Sequence, residues 1–391
     1  MPQIVSILAM EGFMVEDIQG INPIVFKVKY LMSKVCVHCQ SGSLRLKDTF
    51  YRWIRHESFG VRQVYLYLKT HKYFCGACGK YFNDRFPGIL PYRRTTQAFR
   101  KEVFQRHHDG ICQKTLSDRL SIGEASVERY YQDILNLNLS RLKNNPCPRV
   151  LGIDEHFFTR KQGYATTLCD LGKHRIYDVV LGRSEKALER PFSDLSERDK
   201  VKVVVMDLSE TYRAISRKYF PSAKIVADRF HVVRLVNYHF LKVWQSIDPE
   251  GKRNRGLLSL MRRHENKLNG EQKQKLFKYF ENTPALKVIW EFKQRLCQLL
   301  LVKHQTKREC RKLLPFYLKY VRELKDSSFE AFKTLGKTLE SWSQEIVRMW
   351  RFTKSNGITE GFHNKMELIS RRAYGFRNFQ NYRLRVRALC S

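Results

Sequence analysis

No stretch of the chain approaches the roughly 20 consecutive apolar residues that a membrane-crossing helix needs. No concentrated basic amphipathic helix points to a membrane surface either. The first ten residues carry a short apolar stretch but no basic start, and Glu11 and Glu16 follow, which makes a poor signal peptide. Internal repeats and low-complexity segments are absent. A disulfide framework is also missing: of the 10 cysteines, Cys112, Cys147, Cys169, Cys297, Cys310 and Cys390 are scattered singly. Only Cys36, Cys39, Cys75 and Cys78 are paired in spacing. This pattern suits a reducing compartment and one metal site, and a secreted scaffold is excluded. A soluble, cytoplasmic protein with no membrane partner is expected.

Acidic residues are scarce. Asp and Glu number 38 against 72 Lys and Arg, a formal net charge of +34 in 391 residues. A folded chain with that excess repels itself unless a polyanion is near, and a phosphate backbone is the usual one. Apolar residues at 43% and aromatics at 13% exclude a disordered basic tail. The length allows two or three domains. Nucleic acid is the expected partner.

Four textures follow one another. Residues 1–92 read as strands, with turn signals at Gly76, Gly79 and Pro87-Gly88. Helical spacing begins near Thr95 and continues to about Leu142, broken at Ser121-Ile122-Gly123. Asn144-Asn145-Pro146-Cys147-Pro148 reads as a linker. An α/β texture runs from Val150 to about Phe240, and Lys/Arg-rich helices fill the chain to about Arg351. The expected domains are a zinc-binding module over 1–92, a helix-turn-helix region over 93–145, and a third domain over 146–391. The last is interrupted by a helical insertion over about 241–351.

Cys36-Val37-His38-Cys39 and Cys75-Gly76-Ala77-Cys78-Gly79 form two metal knuckles. Thiolates three positions apart on a tight turn, completed by a following Gly, face one ion, and two such turns supply the closed tetrahedral set of structural Zn²⁺. His38 is an alternative ligand inside the first knuckle; the thiolates are preferred. Arg52, Trp53, Arg55, Arg62, Tyr65, Lys69, Lys72 and Tyr73 nearby suit nucleic-acid contact or a solvated sheet face. Gln113–Leu120, a turn at Ser121-Ile122-Gly123 and a helix from Glu124 to about Leu135 have the spacing of a helix-turn-helix. Leu116, Leu120, Ile122, Val127 and Tyr131 would pack, and Gly123 would take a positive φ. That arrangement aims Glu124, Ser126, Arg129 and also Gln132 at a major groove; an ordinary helical hairpin is the alternative.

Two apolar runs end in a carboxylate: Val150-Leu151-Gly152-Ile153-Asp154 and Val201-Lys202-Val203-Val204-Val205-Met206-Asp207. Between them, Gly163–Cys169 and Arg175–Leu181 read as a hairpin and Ser184–Leu195 as a helix. A helix over Ser209–Lys218, a strand over Lys224–Ala227 and a further helix follow. A meander of three strands, a helix, then strands alternating with helices is the order of an RNase H-like fold. Ligands of open α/β sheets bind at the carboxyl ends of the strands, where Asp154 and Asp207 would meet. After a turn at Ser355-Asn356-Gly357, Ile358, Phe362, Met366, Ile369 and Ala373 recur at helical spacing, with Glu360, Asn364 and Glu367 opposite. A carboxylate from that helix would complete the site, and spacing alone leaves Glu360 and Glu367 both open. Three carboxylates suit Mg²⁺ or Mn²⁺, since two such ions about 4 Å apart clamp the oxygens of a phosphodiester under in-line attack.

These motifs resemble those of bacterial insertion-sequence transposases of the ISL-three family, within the DDE class. The resemblance spans nearly the whole chain. It includes Gly152-Ile153-Asp154-Glu155, Val205-Met206-Asp207-Leu208-Ser209 and Ala227-Asp228-Arg229-Phe230-His231-Val232. Its most specific part is Ser355-Asn356-Gly357 through Thr359-Glu360-Gly361, running into Arg372-Ala373-Tyr374-Gly375-Phe376-Arg377-Asn378. It implies that Asp154, Asp207 and Glu360 are the catalytic, metal-binding triad, in preference to Glu367. It also implies support of the site or of DNA by Asp228 and His231, with a buried, hydrogen-bonded histidine as the alternative, and a helical insertion between Asp207 and Glu360. Double-stranded DNA, as element ends and target, self-association on DNA and a place on the bacterial nucleoid follow as expectations. A transposase-derived regulator with an inert core and another RNase H-like nuclease are the competing readings.

Overall fold

The computed structural model describes residues 8–32, 34–140, 146–354 and 357–390. The chain divides into two compact units, Met1–Ser140 and Arg141–Ser391. Of the linker and turn read above, Asn144, Asn145, Ser355 and Asn356 lie outside the described residues, as do the first seven.

The first unit opens with strands β1 (Phe13–Gln19), β2 (Ile24–Tyr30), β3 (Leu44–Phe59), β4 (Arg62–Cys75) and β5 (Tyr81–Asn83). They form one sheet in the order β1-β2-β4-β3, with β5 also on β4. β2 runs parallel to β4, and the long β3–β4 hairpin is antiparallel. Period-two alternation decides the faces: Val64, Leu66 and Leu68 turn into a core with Phe26, Val28 and Ile54, while Tyr65 and Tyr67 turn out. Three helices follow, α1 (Gln97–His108), α2 (Gln113–Leu120) and α3 (Glu124–Ser140). Thr96 caps α1 by accepting from the Phe99 N–H. Phe99, Val103, Leu116, Leu120 and Val127 form the helices' own core, with Ile122 against it. The turn differs from expectation in one respect. Ser121, rather than Gly123, takes the left-handed conformation, at φ 52° and ψ 50°. There it ends α2 while the Ile122 N–H returns to the Ser117 carbonyl at 3.2 Å, so the chain has already turned before Gly123.

The second unit is built on β6 (Val150–Thr159), β7 (Gly163–Asp170), β8 (Arg175–Leu181), β9 (Val203–Met206) and β10 (Lys224–Ala227). Their order is β10-β9-β6-β7-β8. β6, β7 and β8 form the antiparallel meander, and β9 and β10 run parallel to β6. Every residue of β9 is buried, as a strand covered on both faces requires. α4 (Glu185–Ser193) and α5 (Glu210–Tyr219) join the strands, capped by Ser184 and Ser209. β6 continues beyond Asp154 to Thr159, so that carboxylate is not at its end; what stops at Ile153 is the parallel pairing with β9.

From Arg229 the chain is helical: α6 (Arg229–Ile247), α7 (Pro249–Arg253), α8 (Arg255–Arg262), α9 (Gly270–Asn282), α10 (Pro284–Leu301), α11 (Lys307–Lys325), α12 (Glu330–Ser341) and α13 (Ser343–Arg351). Trp244, Trp290 and Trp350 anchor its core. Two buried cations tie helix ends by donating to carbonyls that lack helical partners. Arg229 donates to the carbonyls of Leu300 (3.2 Å), Val302 (3.1 Å) and Met349 (2.6 Å). Lys293 donates to the Met261 carbonyl at 2.6 Å. α14 (Gly357–Arg372) and α15 (Phe379–Leu389) complete the unit. α15 packs on β8, where the Ile176 N–H donates to the Cys390 carbonyl at 2.7 Å and Arg383 Nε to Asp178 at 2.7 Å. Among the described residues no helix is long and apolar enough to cross a membrane.

Candidate active site and metal centres

Three apolar runs lie side by side in the second unit, and each is followed by an aspartate. The register pairs Ile153 with Met206 and Met206 with Ala227. The next residues, Asp154, Asp207 and Asp228, therefore stand in a row where the parallel sheet ends. Burial is deep: Asp154 is 7% exposed and Asp228 1%. Loss of hydration pushes the Asp154 carboxyl from 3.8 up to about 7, and Asp228, Glu155 and Glu360 raise it further against the Glu155 N–H that it accepts. Burial, then the charge of Asp154, pushes Asp207 up to about 8.

His231, in the first turn of α6, completes the cluster. Ligand atoms of Asp154, Asp207 and His231 all lie within 4.8 Å of one another. His231 Nε2 stands 3.1 Å from Asp207 Oδ1 and 3.8 Å from Asp228 Oδ2. The shorter approach lacks hydrogen-bond alignment, since Asp207 Oδ1 is buried with no hydrogen-bond partner. A buried carboxylate oxygen in that state is costly, and a cation beside it would remove the cost. Two hard-oxygen donors and one imidazole fit a divalent ion.

Glu360 enters from the first turn of α14. It lines a cleft of about 200 Å³ with Asp154, Glu155, Asp228, His231, Arg234 and His363. It shares that cleft with Asp154 and Asp228 and stands outside the cluster of Asp154, Asp207 and His231. Glu367 is exposed and paired with Arg371 at 2.5 Å. Behind the cleft, His363 Nε2 lies 3.2 Å from Thr167 Oγ1, which is 2.9 Å from His156 Nδ1; Tyr382 OH is 2.9 Å from His156 Nε2. Burial lowers His156 to about 3 and His363 to about 4, so both rings are neutral near pH 7. At the rim, Arg183 Nη1 donates to both oxygens of Glu155 at 3.1 and 3.2 Å.

In the first unit the four spaced cysteines converge. Their sulfurs lie within 4.8 Å of one another, with Cys36–Cys78 at 3.7 Å and Cys39–Cys75 at 3.6 Å. A tetrahedron with Zn–S bonds of 2.3 Å has edges of about 3.8 Å, so the set fits zinc. Pairing of Leu44 with Cys75 brings the knuckles together. Gly79 closes the second turn at φ 68°, and Gln40 closes the first at φ 62°. Gly76 sits where the knuckles touch: its N–H donates to the Ser43 carbonyl, and a Cβ would lie 2.8 Å from Ser43 Oγ. His38 is outside the cluster.

Comparison with known proteins decides the family. A family model described as "Transposase" matches residues 151–386, more than half of the chain and all of the cleft. The chain belongs to the ISL-three family of transposases. It is similar to the transposase for insertion sequence element IS1001 of Bordetella parapertussis, at 21% identity over 374 residues, 90% of this chain and 88% of that protein. A shorter similarity, 33% over 57 residues, joins it to an ATP-dependent protease of Lactococcus lactis subsp. lactis, over 15% of this chain and 18% of that protein.

Within this transposase, the residues read as groove-facing lie at the start of α3. Glu124 and Arg129 are exposed and Ser126 is half-buried. Arg129 donates to Ser126 Oγ at 3.0 Å, and Gln132 donates to Glu128 at 2.9 Å. The reading from sequence missed His156, His363 and the Glu155–Arg183 pair. A signal existed for His363, one turn beyond Glu360 on the same helix. Lys224–Asp228 also repeats the pattern of an apolar run ending in Asp, which would have grouped Asp228 with Asp154 and Asp207.

Proposed function

We propose that this transposase binds the ends of its insertion sequence and catalyses divalent-metal-dependent DNA cleavage and strand transfer. The observation that carries the reading is the pair Asp154, buried, and Asp207, half-buried, on neighbouring strands where the parallel sheet ends, with Glu360 on the cleft that Asp154 also lines. Strand order β10-β9-β6-β7-β8, with only β7 and β8 alternating in direction after β6, supports an RNase H-like core. The helices over about 241–351 are an insertion within it.

Asp154, Asp207 and Glu360 would hold Mg²⁺ or Mn²⁺, and His231 and Asp228 would fix the aspartates from the side. When bound, the ions supply Lewis-acid stabilisation to the attacking and leaving oxygens of an in-line displacement. The chain's own residues do the rest. Burial and neighbouring carboxylates raise the pKa of Asp154 and Asp207, so a cation held between them would relieve that repulsion and displace their protons to solvent. Burial holds the His231 imidazole below its ordinary value, which favours its uncharged form beside the aspartates. Arg234 lines the cleft with Asp154 and Glu360 and would offer a positive charge to a phosphate there. In the first unit, zinc on Cys36, Cys39, Cys75 and Cys78 is structural, because no ligand position stays open. α2 and α3 serve as a helix-turn-helix with Glu124, Ser126 and Arg129 toward the groove. Self-association on paired ends and work on the nucleoid in the cytoplasm complete the reading.

The test is cleavage and strand transfer of end-containing DNA with Mg²⁺ or Mn²⁺. Asp154→Asn, Asp207→Asn and Glu360→Gln should each abolish both steps and leave end binding intact, while Glu367→Gln stays active. Activity in any of the three, or a dead Glu367→Gln beside an active Glu360→Gln, would overturn the assignment.

A further inference from the structure

The outer face of the first unit's sheet carries a row of rings whose form the active-site chemistry does not require. Tyr51 and Trp53 on β3 pair in register with Lys69 and Tyr67 on β4, and Lys27 on β2 pairs with Tyr67 from the other side. Register partners share a face, so Tyr51, Trp53, Tyr65, Tyr67, Lys27 and Lys69 present one surface, opposite the core of Val64, Leu66 and Leu68. The rings lean on one another: Tyr51 stacks on Tyr67 at 4.6 Å and 6°, and Trp53 lies 5.1 Å from Tyr67 and 6.1 Å from Tyr65. Yet Trp53 is 54% exposed and Tyr51 44%. Cross-strand packing alone explains the contacts but not that exposure, since smaller β-branched residues would hold the hairpin equally well. The one carboxylate in register on this face, Asp17 opposite Lys27, is taken up by Gln19 Nε2 at 2.7 Å and the Ile18 N–H at 2.9 Å. Those neutral donors hold the carboxylate in place without cancelling its charge, and Lys27 and Lys69 outnumber it, so the row is aromatic and net cationic.

We propose that this sheet face binds an unpaired DNA strand, with bases stacked on Trp53, Tyr51 and Tyr67 and phosphates on Lys27 and Lys69. The charge is complementary to a polyanion. The rings select unpaired bases because in a duplex both faces of every base pair are covered by its neighbours. The surface is built from residues of the first unit and the acidic cluster from residues of the second, and strand binding needs no cleavage, so the two readings fail independently.

The test uses the full-length, zinc-loaded protein and fluorescein-labelled oligo-dT, with a random duplex of equal length and oligo-rU as further arms. Trp53→Ala or Tyr67→Ala should weaken oligo-dT binding by about five- to a hundredfold, the range for losing one stacked base. Duplex binding should change less than twofold, and Trp53→Phe should keep most of the affinity for oligo-dT. Lys27→Gln should flatten the salt dependence of oligo-dT binding. Zinc content and melting temperature, measured on each variant, identify any that misfolds, and Trp53→Phe then decides alone by retaining binding with its ring. Equal losses on oligo-dT and duplex, unchanged oligo-dT binding in folded alanine variants, or a loss confined to oligo-rU would overturn the proposal.

Discussion

Asp207→Asn removes a negative charge from a place where the fold resists one. The Asp207 carboxyl is pushed from 3.8 up to about 8. For an acid whose pKa is raised by folding, stability is greatest below the unfolded value and is lost as pH rises through the folded one. The loss therefore runs from pH 4 to pH 8. A gap of about 4 units corresponds to about 5 kcal/mol once both states are ionised. Part of that is repulsion by Asp154, so replacing either aspartate relieves some of the same strain and the two gains do not add. Asn also leaves an amide to be satisfied in the pocket, at about 1–2 kcal/mol. The expected net gain for Asp207→Asn is about 2–4 kcal/mol at pH 8 without divalent cations, or roughly 4–16 °C in melting temperature for a unit of this size. At pH 5 most of the gain should vanish, because the wild-type carboxyl is then protonated in the folded state. Added Mn²⁺ should raise the wild-type melting temperature and leave that of Asp207→Asn unchanged. Denaturation across pH 5–9, following the second unit by tryptophan fluorescence, gives the answer. A variant no more stable than wild type at pH 8, or a gain that does not grow with pH, would refute the charge argument.

Cys36→Ser with Cys39→Ser should release the zinc, measured by metal analysis. It should also expose the amides of Leu44–Leu46 and Phe74–Cys75 to hydrogen exchange, because metal affinity and folding are coupled there. Given the proposed recognition helix, Arg129→Ala should reduce discrimination between element-end and random DNA more than it reduces overall affinity; equal losses in a competition assay would make Arg129 a phosphate contact. Lys293 is buried without a carboxylate and its pKa is lowered to about 8, burial being the cause. Its protonated form costs stability below pH 8, and the cost fades as pH rises toward 10.5. Lys293→Met should therefore stabilise the protein by about 1–2 kcal/mol at pH 7, net of the lost bond to the Met261 carbonyl, and by nothing at pH 10.

Much of the fold was legible because its strands are local in their signal. Lys224–Ala227 is a strand with the bounds its apolar run suggests, and Gly163–Cys169 with Arg175–Leu181 is the expected hairpin. The four cysteines meet because the residues between them form a single long hairpin, as their strand-like spacing implied. Legibility ended where neighbours are distant in sequence. The apolar run ending at Asp228 repeats the pattern of Asp154 and Asp207, but it does not say which strand lies beside it, since parallel pairing is non-local and leaves no turn signal between partners. His156 and Thr167 look like ordinary strand residues until α14 and α15 bring His363 and Tyr382 against them. The turn at Ser121 went to a non-glycine residue because the helix C-terminus, and not the loop, demanded the left-handed conformation.

The wide separation of Asp207 and Glu360 along the chain has a consequence for synthesis. When the second aspartate leaves the ribosome, about 150 residues remain to be added before α14 can dock, which takes roughly ten to thirty seconds at bacterial elongation rates. Throughout that interval Arg229 waits for the Leu300, Val302 and Met349 carbonyls that will hold it. Under the proposed assignment of Glu360, a nascent chain is therefore unable to cut DNA, however early its first unit folds. The capacity to cut would arrive only once α14 has been made, and a chain abandoned before it would be harmless to the cell that made it.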